Sequence, residues 1–507
     1  MIGIGSTVGT GLFIASGTGL AHGGPLALLL CFLVVGLLLF TTMECLCEMA
    51  VLYPVSGSFT RYATRFISPA VGFALGWQYW LCWVSVFVAE ATAARIIIQY
   101  WTGPSGIIVQ GMVVTAFTVI ILIVHCFPVR VFGEVEFVMG VTKIVAIVIL
   151  IIVSWTIMGG GGPRGRVHGG EFWVEPGALA HGFHGLASVF TIASISYGGP
   201  EVVGIVSGET KYPRLNLPRA INSLMWSLII LYLTSLLFIT FLVPYTHHAL
   251  LGEGASEPYI SVSPFVIAVK EAGITMLPDM LNAVLLVCVL SVGCVAIYIP
   301  SRVLVTLSED GMAWRRFKEI DRAGRPRIAI AFTGLVAGAL SYVDLSAKGE
   351  VLFAWFSSLS GASFFIVWNV ILATNFRFHD AMTAQGRGDW VNERFAYRAT
   401  LWPWLPVAGA ISWVFVGGSS IYAVLYPVGG PDSTPEWKAV LGSLLSIMFF
   451  IAMMGSYMVL AGGRLIKLEQ IDLSSGRREK DPEEERLLEE EYKRGGVVRR
   501  LLSYVHV

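Results

Sequence analysis

VFTIASISYGGPEVVGIVSGET, residues 189–210, lies within an apolar chain and cannot continue as one regular membrane helix. Pro200 has no backbone N–H and its ring crowds the preceding turn, while Gly198 and Gly199 reach conformations that other residues resist. Backbone groups freed at membrane depth must be satisfied by protein, water or ligand. Glu201 follows at once, and an ionisable group near the bilayer centre is expensive and usually functional. A simple proline kink packed against its neighbours is the alternative reading.

A second interruption opens the chain. MIGIGSTVGTGLFIASGTGL, residues 1–20, sets Gly3, Gly5, Gly9 and Gly11 among Ser6, Thr7 and Thr10. Each glycine costs about 1 kcal/mol of helix propensity relative to alanine. Close packing of helices through small residues is the alternative, but here small and polar residues surround the helix and are not confined to one stripe.

The rest of the chain says what surrounds these breaks. Of 507 residues, 55% are hydrophobic and 13% charged, with a mean hydropathy of +0.72. A soluble domain carries about 25% charged residues, so lipid must replace water over much of the surface. A net charge of zero gives no sign of a nucleic-acid partner. Crossing about 30 Å of hydrocarbon takes roughly 20 apolar residues of helix. On that measure the runs are 2–21, 26–51, 71–101, 107–127, 133–158, 180–207, 219–243, 276–307, 328–345, 350–376, 401–425 and 437–463, which predicts twelve spans.

Loop charge orients them. Sixteen arginines and lysines, among them Arg61, Arg65, Arg130, Arg325, Arg377 and Arg394, fall in or beside the even-numbered connections. The odd-numbered ones hold five: Arg164, Arg166, Lys270, Lys348 and Lys438. The even loops and both termini are therefore expected in the cytoplasm. Residues 1–463 read as the transmembrane domain, and the charged text after them, 464–507, as a cytoplasmic tail with a short surface helix. That tail reads as a solvated appendage or as a regulatory segment.

Met1-Ile-Gly-Ile-Gly lacks the positive region of a cleavable signal peptide. The seven cysteines, all within apolar runs, suggest no disulfide framework. Cys45 and Cys47, two apart on a helix, do not face one another, so no metal site is expected.

Spans one and six begin successive five-helix halves. Two interrupted spans at equivalent positions point to an inverted-repeat transporter. The expected fold is an all-α membrane protein with a 5+5 inverted repeat and spans eleven and twelve peripheral. A broken helix offers unpaired N–H groups and a positive dipole end at the start of its outer half, which suits a carboxylate. Carbonyls of the opposite half suit an ammonium. Together they describe a site for an amino acid.

GIGSTVGTGLFIASGTGL, EMAVLYPVSGSFTRYATRFISPAVGFALGW, FGEVEFVMGVTKI (132–144), SVGCVAIY (291–298), DRAGRPRIAI (321–330), LYPVGG (425–430) and IDLSSGRRE (471–479) resemble the fungal amino-acid permeases of the amino acid–polyamine–organocation superfamily. The resemblance runs from residue 1 to about 480. It implies that fold and proton-coupled uptake of amino acids, driven by the proton gradient without a cofactor, at the plasma membrane. It places Ser6, Thr7, Gly9, Thr10 and Gly11 at the substrate carboxylate. Tyr197, Gly198, Gly199 and Glu201 would face the amino group and side chain. Lys143 matches a lysine standing where sodium-coupled relatives hold a sodium ion.

Lys143 suits such a role physically, because a lysine among Val, Ile and Met is stripped of water. Charged, it could tie span five to the broken first helix and to span eight near Ser291; neutral, it would release them. Snorkelling is the alternative. Glu90 is a second candidate for handling protons, or else pairs with Arg95 or reads the substrate. Glu44 and Glu48 are expected to pair, at least in part, with Arg61 or Arg65. Phe364 and Trp368 could wall the pocket or simply pack between helices.

The chain also departs from the family pattern. Cys294 stands where the family usually has Asn, and Pro200 where it has a small residue, so substrate range does not carry across. The ending SYVHV lacks the aromatic-Cys palmitoylation site. Family members carry a cytoplasmic tail and an inner half-helix before the first break, so either the sequence begins short of that tail or the protein lacks its inner gate. An exchanger, a carrier of polyamine, choline or γ-aminobutyrate on the same fold, and a nutrient sensor that transports little remain as alternatives. An enzyme is not expected, since no Ser/His/Asp or metal-ligand cluster shares a cavity. Oligomeric state is not legible.

Overall fold

The computed structural model describes residues 2–103, 105–205, 207–251, 263–343, 349–388, 397–426, 428, 437–478 and 481–494. Met1, Lys348, Arg394, Pro427, Gly429, Gly430 and the SYVHV ending lie outside these. The described residues form helices and no strand. In chain order they are α1 (Ile2–Thr7), a π-helical turn (Gly11–Ala15), α2 (Ser16–Leu52), α3 (Ser58–Phe66), α4 (Pro69–Thr102), α5 (Ile107–His125), α6 (Val129–Met158) and α7 (Glu171–Val174). There follow α8 (Gly182–Ser196), α9 (Val202–Ile205), α10 (Pro213–Leu242), α11 (His248–Leu251), α12 (Pro264–Glu271), α13 (Leu277–Glu309), α14 (Arg327–Val343) and α15 (Gly349–Ala384). The chain closes with α16 (Trp404–Leu425), α17 (Trp437–Ala461) and α18 (Pro482–Arg494).

Among the described residues nine helices are long and apolar enough to cross a membrane, where hydropathy predicts twelve spans. Two shortfalls are of length: α8 and α14 have 15 and 17 residues. The third comes from joining. The helical run Gly11–Leu52 has 42 residues, about 63 Å if straight at 1.5 Å per residue, twice the roughly 30 Å hydrocarbon core. It is not straight, because Gly24 (φ 77°, ψ 177°) turns the chain just before Pro25. A Cβ at Gly24 would stand 2.9 Å from Ala180 N and 3.0 Å from Ala178 O, so a larger residue would be strained and crowded.

The outside of the bundle is apolar. Ile108, Ile411 and Val459 are 77%, 66% and 86% exposed, and contiguous apolar surface on this scale fits lipid rather than water. Inside, α4 packs against α13 and α15, and α2 against α8 and α10.

Hydrogen bonds gather the even-numbered connections on one face. Arg61 pairs with Glu309 (2.5 Å) and Asp310 (3.4 Å), Arg325 donates to the Cys126 carbonyl, and Arg377 donates to the carbonyls of Phe66 and Ile466. On the opposite face the Gly24 turn is bonded to residues 178 and 180, and Arg164 to Glu271 at 2.8 Å. In DRAGRPRIAI the Asp321 carboxylate accepts from the Arg325 side chain (2.8 Å) and backbone (2.9 Å), and from Arg327 (2.7 Å). These donors hold it well below the usual carboxylate range.

Residues 464–478 cross the arginine-rich face. Ile466 N donates to Ile67 O (3.0 Å), Gln385 to the carbonyls of Leu468 (2.9 Å) and Ile471 (2.7 Å), Tyr53 OH to Leu473 O (3.0 Å) and Arg478 N to Leu52 O (3.0 Å). On α18, Glu484 is buried and accepts from Arg214 N at 2.8 Å. The described part of the tail is therefore bonded to the helix ends rather than loose in solvent.

The expected partners of Glu44 and Glu48 need correction. Arg61 is taken by Glu309 and Asp310, and Arg65 by Asp472. Glu44 instead accepts from Thr400 N (3.1 Å) and Oγ1 (2.8 Å), and Glu48 from Asn375 (2.8 Å) and His379 (3.0 Å). Both carboxylates face α15 and the segment after it, one and two turns before the loop that carries the arginines.

Candidate functional site

The two breaks touch. α1 ends at Thr7, and the chain becomes helical again at Thr10. α8 ends at Ser196, and α9 begins at Val202 after Gly199 (φ 117°). A Cβ on Gly11 would stand 2.6 Å from Ser196 Cα, and one on Gly199 3.0 Å from Ser6 Oγ. Glycine at both positions is what lets two interrupted backbones cross at contact distance.

Carbonyls at the breaks find partners within α1 and from other elements, as burial demands. Ser6 Oγ lies 2.9 Å from Gly3 O and 3.2 Å from Gly199 O, and Thr7 Oγ1 donates to Gly3 O (2.7 Å). Lys143, fully buried, donates to Gly5 O at 2.7 Å. The Tyr232 hydroxyl on α10 stands 3.0 Å from both Thr7 O and Ser196 O, one from each break. The first N–H groups of the resumed helix, by contrast, have no intrahelical acceptor.

The residues that open the resumed helix border a cavity of about 50 Å³. Ser6, Thr7, Gly9, Thr10 and Gly11 line it from the first break and Gly198 from the second. α4 adds Trp83, Val86 and Glu90 at helical spacing, and α15 adds Ser357, Ser360 and Phe364. The Thr10 hydroxyl donates to Glu90 Oε1 at 2.8 Å, and Glu90 Oε2 is buried without a hydrogen-bond partner. Arg95 bonds Gln110 at 3.1 Å. Phe364 stacks on Trp368 (5.5 Å between ring centres, 17° between planes) and meets Trp83 edge-on. Its ring fills the space a Cβ on Gly198 would need.

Other expected site residues stand behind this wall. Tyr197 is fully buried against Phe32 and Tyr232. Glu201, also fully buried, accepts from Tyr79 OH (2.9 Å), Trp368 Nε1 (3.2 Å) and Gly199 N (3.3 Å). Tyr197, Gly199 and Glu201 do not line the cavity in this conformation; they hold the sixth-helix break in shape. Ser291 meets neither Gly5 O nor Lys143: its hydroxyl donates to Glu136 Oε2 at 3.0 Å.

Two residues here escaped the sequence reading. Glu136 precedes Lys143 by seven positions, two turns on the same helix face, a pattern that could have marked it. Tyr232 carries no such signal, being one aromatic residue within an apolar span.

Residues 1–465 match the family model described as amino acid permease. The amino-acid permease GAP5 of Candida albicans is 37% identical over 486 residues, covering 95% of this chain and 76% of its own length. The general amino-acid permease GAP1 of Saccharomyces cerevisiae is 37% identical over 489 residues, with 95% and 79% covered. The S-adenosylmethionine permease GAP4 of Candida albicans is likewise 37% identical, over 486 residues, with 95% and 78% covered. With a cavity framed by two crossed helix breaks and likeness along almost its full length, the chain belongs to the amino acid permease family.

Proposed function

We propose that this permease takes up amino acids across the plasma membrane together with protons, binding substrate in the cavity between the two breaks. The observation that carries the reading is the cavity's lining: residues of both breaks, three hydroxyl residues from the first break (Ser6, Thr7, Thr10), two from α15 (Ser357, Ser360) and one carboxyl, Glu90. N–H groups at residues 9–11, at the positive end of the resumed helix, suit the substrate carboxylate. Glu90, with one oxygen unpartnered, offers a negative group toward the ammonium or a place for a proton. Ser357, Ser360, Trp83 and Phe364 then meet the side chain. Tyr197, Gly199 and Glu201 act from behind by fixing the second break.

The architecture we propose is twelve spans. Helices cover each of the twelve apolar runs, the Gly24 turn divides the longest, and the breaks fall five spans apart, as a 5+5 inverted repeat with α16 and α17 peripheral requires. The arginine-rich face and the tail on it are then cytoplasmic. Lys143 bonded to Gly5 O, with Glu90 and Ser291 nearby, forms the proton-coupling region. The relative named for S-adenosylmethionine fits a shared amino-acid end with a variable side-chain pocket, so the substrate class stays broad.

The test is uptake of a panel of radiolabelled amino acids into proteoliposomes holding the full chain, with and without an inward proton gradient. Accumulation that follows the gradient is expected. Uptake indifferent to it overturns symport, and no uptake of any amino acid overturns the substrate class.

A further inference from the structure

We propose that Glu136 is a proton-binding carboxyl of the transport cycle, set where α1, α6 and α13 meet, so that its protonation is sensed by the first-helix break through Gly5 and Lys143. This rests on the symport reading above and adds to it a group that motif and hydropathy had not marked.

The geometry is specific. Glu136 is fully buried; Oε2 accepts from Ser291 on α13, and Oε1 is buried with no hydrogen-bond partner among the described residues. A carboxyl left half-bonded away from water is costly as an anion unless a cation compensates it. The cation is Lys143, two turns later on α6 and leaning back along the helix toward Glu136, as helical side chains do. Its ammonium is bonded to Gly5 O. Gly5 itself lies flush against Glu136, because any Cβ there would overlap Oε2. One turn of α1 thus touches the acid with its Cα and the ammonium with its carbonyl.

The groups around this acid are few. α13 brings Ser291 and Cys294 to the acid and Cys288 to Lys143, α4 brings Glu90 to Lys143, and α5 brings His125, whose ring packs on Phe132 beside Glu136. α10 carries its charges, Arg214 and Arg219, in its first two turns, and α12 carries Lys270 and Glu271 at its end.

The proton balance is simple. An arriving proton forms an O–H bond at Oε1, turning the carboxylate into a neutral acid. The Lys143 ammonium is then left as a buried charge without compensation, which destabilises this packing of α1 against α6 and favours an arrangement in which water reaches the ammonium and the inner half of the first helix moves. The same O–H bond later breaks to water on the other side, and the carboxylate again compensates the ammonium across the α6 face. One proton crosses and no other group changes its net state.

The full chain and its variants are reconstituted with a lumenal pH dye and the radiolabelled amino-acid panel. Glu136→Gln is expected to lose gradient-driven accumulation by about tenfold or more and to show uptake flat with pH, while counterflow, which needs no net proton movement, persists. Glu136→Asp should restore the gradient response. Gradient-driven accumulation by Glu136→Gln equal to that of the unaltered chain overturns the proposal. So does loss of counterflow in both variants, which would mark a purely structural role. If the unaltered chain ignores the gradient, symport itself fails, a result distinct from either.

Discussion

The two helix breaks look alike in sequence and differ in what they present. The first lines the cavity with Ser6, Thr7, Gly9, Thr10 and Gly11, and its carbonyls at Gly5 and Thr7 are held by Lys143 and Tyr232 from distant helices. The second turns its most polar residue away: Glu201 is bonded on both oxygens to Tyr79, Trp368 and Gly199, and only Gly198 reaches the cavity. Breaking a helix frees backbone groups, but what fills the gap decides the use. The first break lines the cavity, and the second is bonded away from it.

The sharpest way to break this comparison is to push the two apart. Gly11→Val places its Cβ against Ser196 backbone, which cannot yield as a side-chain tip would. Uptake in proteoliposomes should fall about 100-fold or more, in line with the cost of an ångström-scale misplacement in a site. Uptake within a few-fold of the unaltered chain would mean the crossing is not needed.

Next comes the wall. Glu201→Ala leaves three donors without an acceptor, at about 1–3 kcal/mol for each buried group left unsatisfied, so the melting temperature in detergent should drop. Glu201→Gln, which keeps an acceptor, should melt closer to the unaltered chain. Normal melting with lost substrate binding in Glu201→Gln would make the second break a set of ligands too. A smaller change is expected from Phe364→Leu. Replacing the stacked ring by a smaller side chain should shift competition between bulky and small amino acids by about tenfold toward the bulky ones. An unchanged selectivity would remove Phe364 from the wall.

The smallest effect lies outside both breaks. Asp472 accepts from Ser475 and Ser474, which hold its carboxyl below the usual range, and it pairs with Arg65 at 3.5 Å. A carboxylate with a depressed folded value stabilises above its unfolded pKa of about 3.9 and loses that contribution as pH falls through the folded value. Asp472→Asn at neutral pH should therefore cost under about 1 kcal/mol, the usual worth of an exposed pair, and leave uptake unchanged.

Sequence made the breaks legible because Gly, Pro and Ser in an apolar run contradict a lipid-facing helix whatever packs around them. Lys143 was legible for the same reason. Its bond to Gly5 follows from the packing of α6 on α1, which no local pattern encodes. Tyr232 was invisible because its role comes from standing between two segments more than 180 residues apart in sequence. Glu44 and Glu48 were misassigned because the arginines nearest in sequence are claimed by acids that only the folded chain brings there. Glu201 was recognised as unusual from sequence, but which way its carboxyl turns depends on Tyr79 and Trp368, supplied by α4 and α15.

The stretch 464–478 has a practical meaning for anyone handling this protein. Its main-chain and side-chain bonds reach the ends of α2, α3 and α15, so these fifteen residues behave as part of the folded body although their composition reads as a trailing end. A reporter or purification handle inserted before residue 478 would cut that seam and cost yield, and a deletion there would mimic a core lesion in any expression screen. A fusion joined beyond α18 leaves the seam whole.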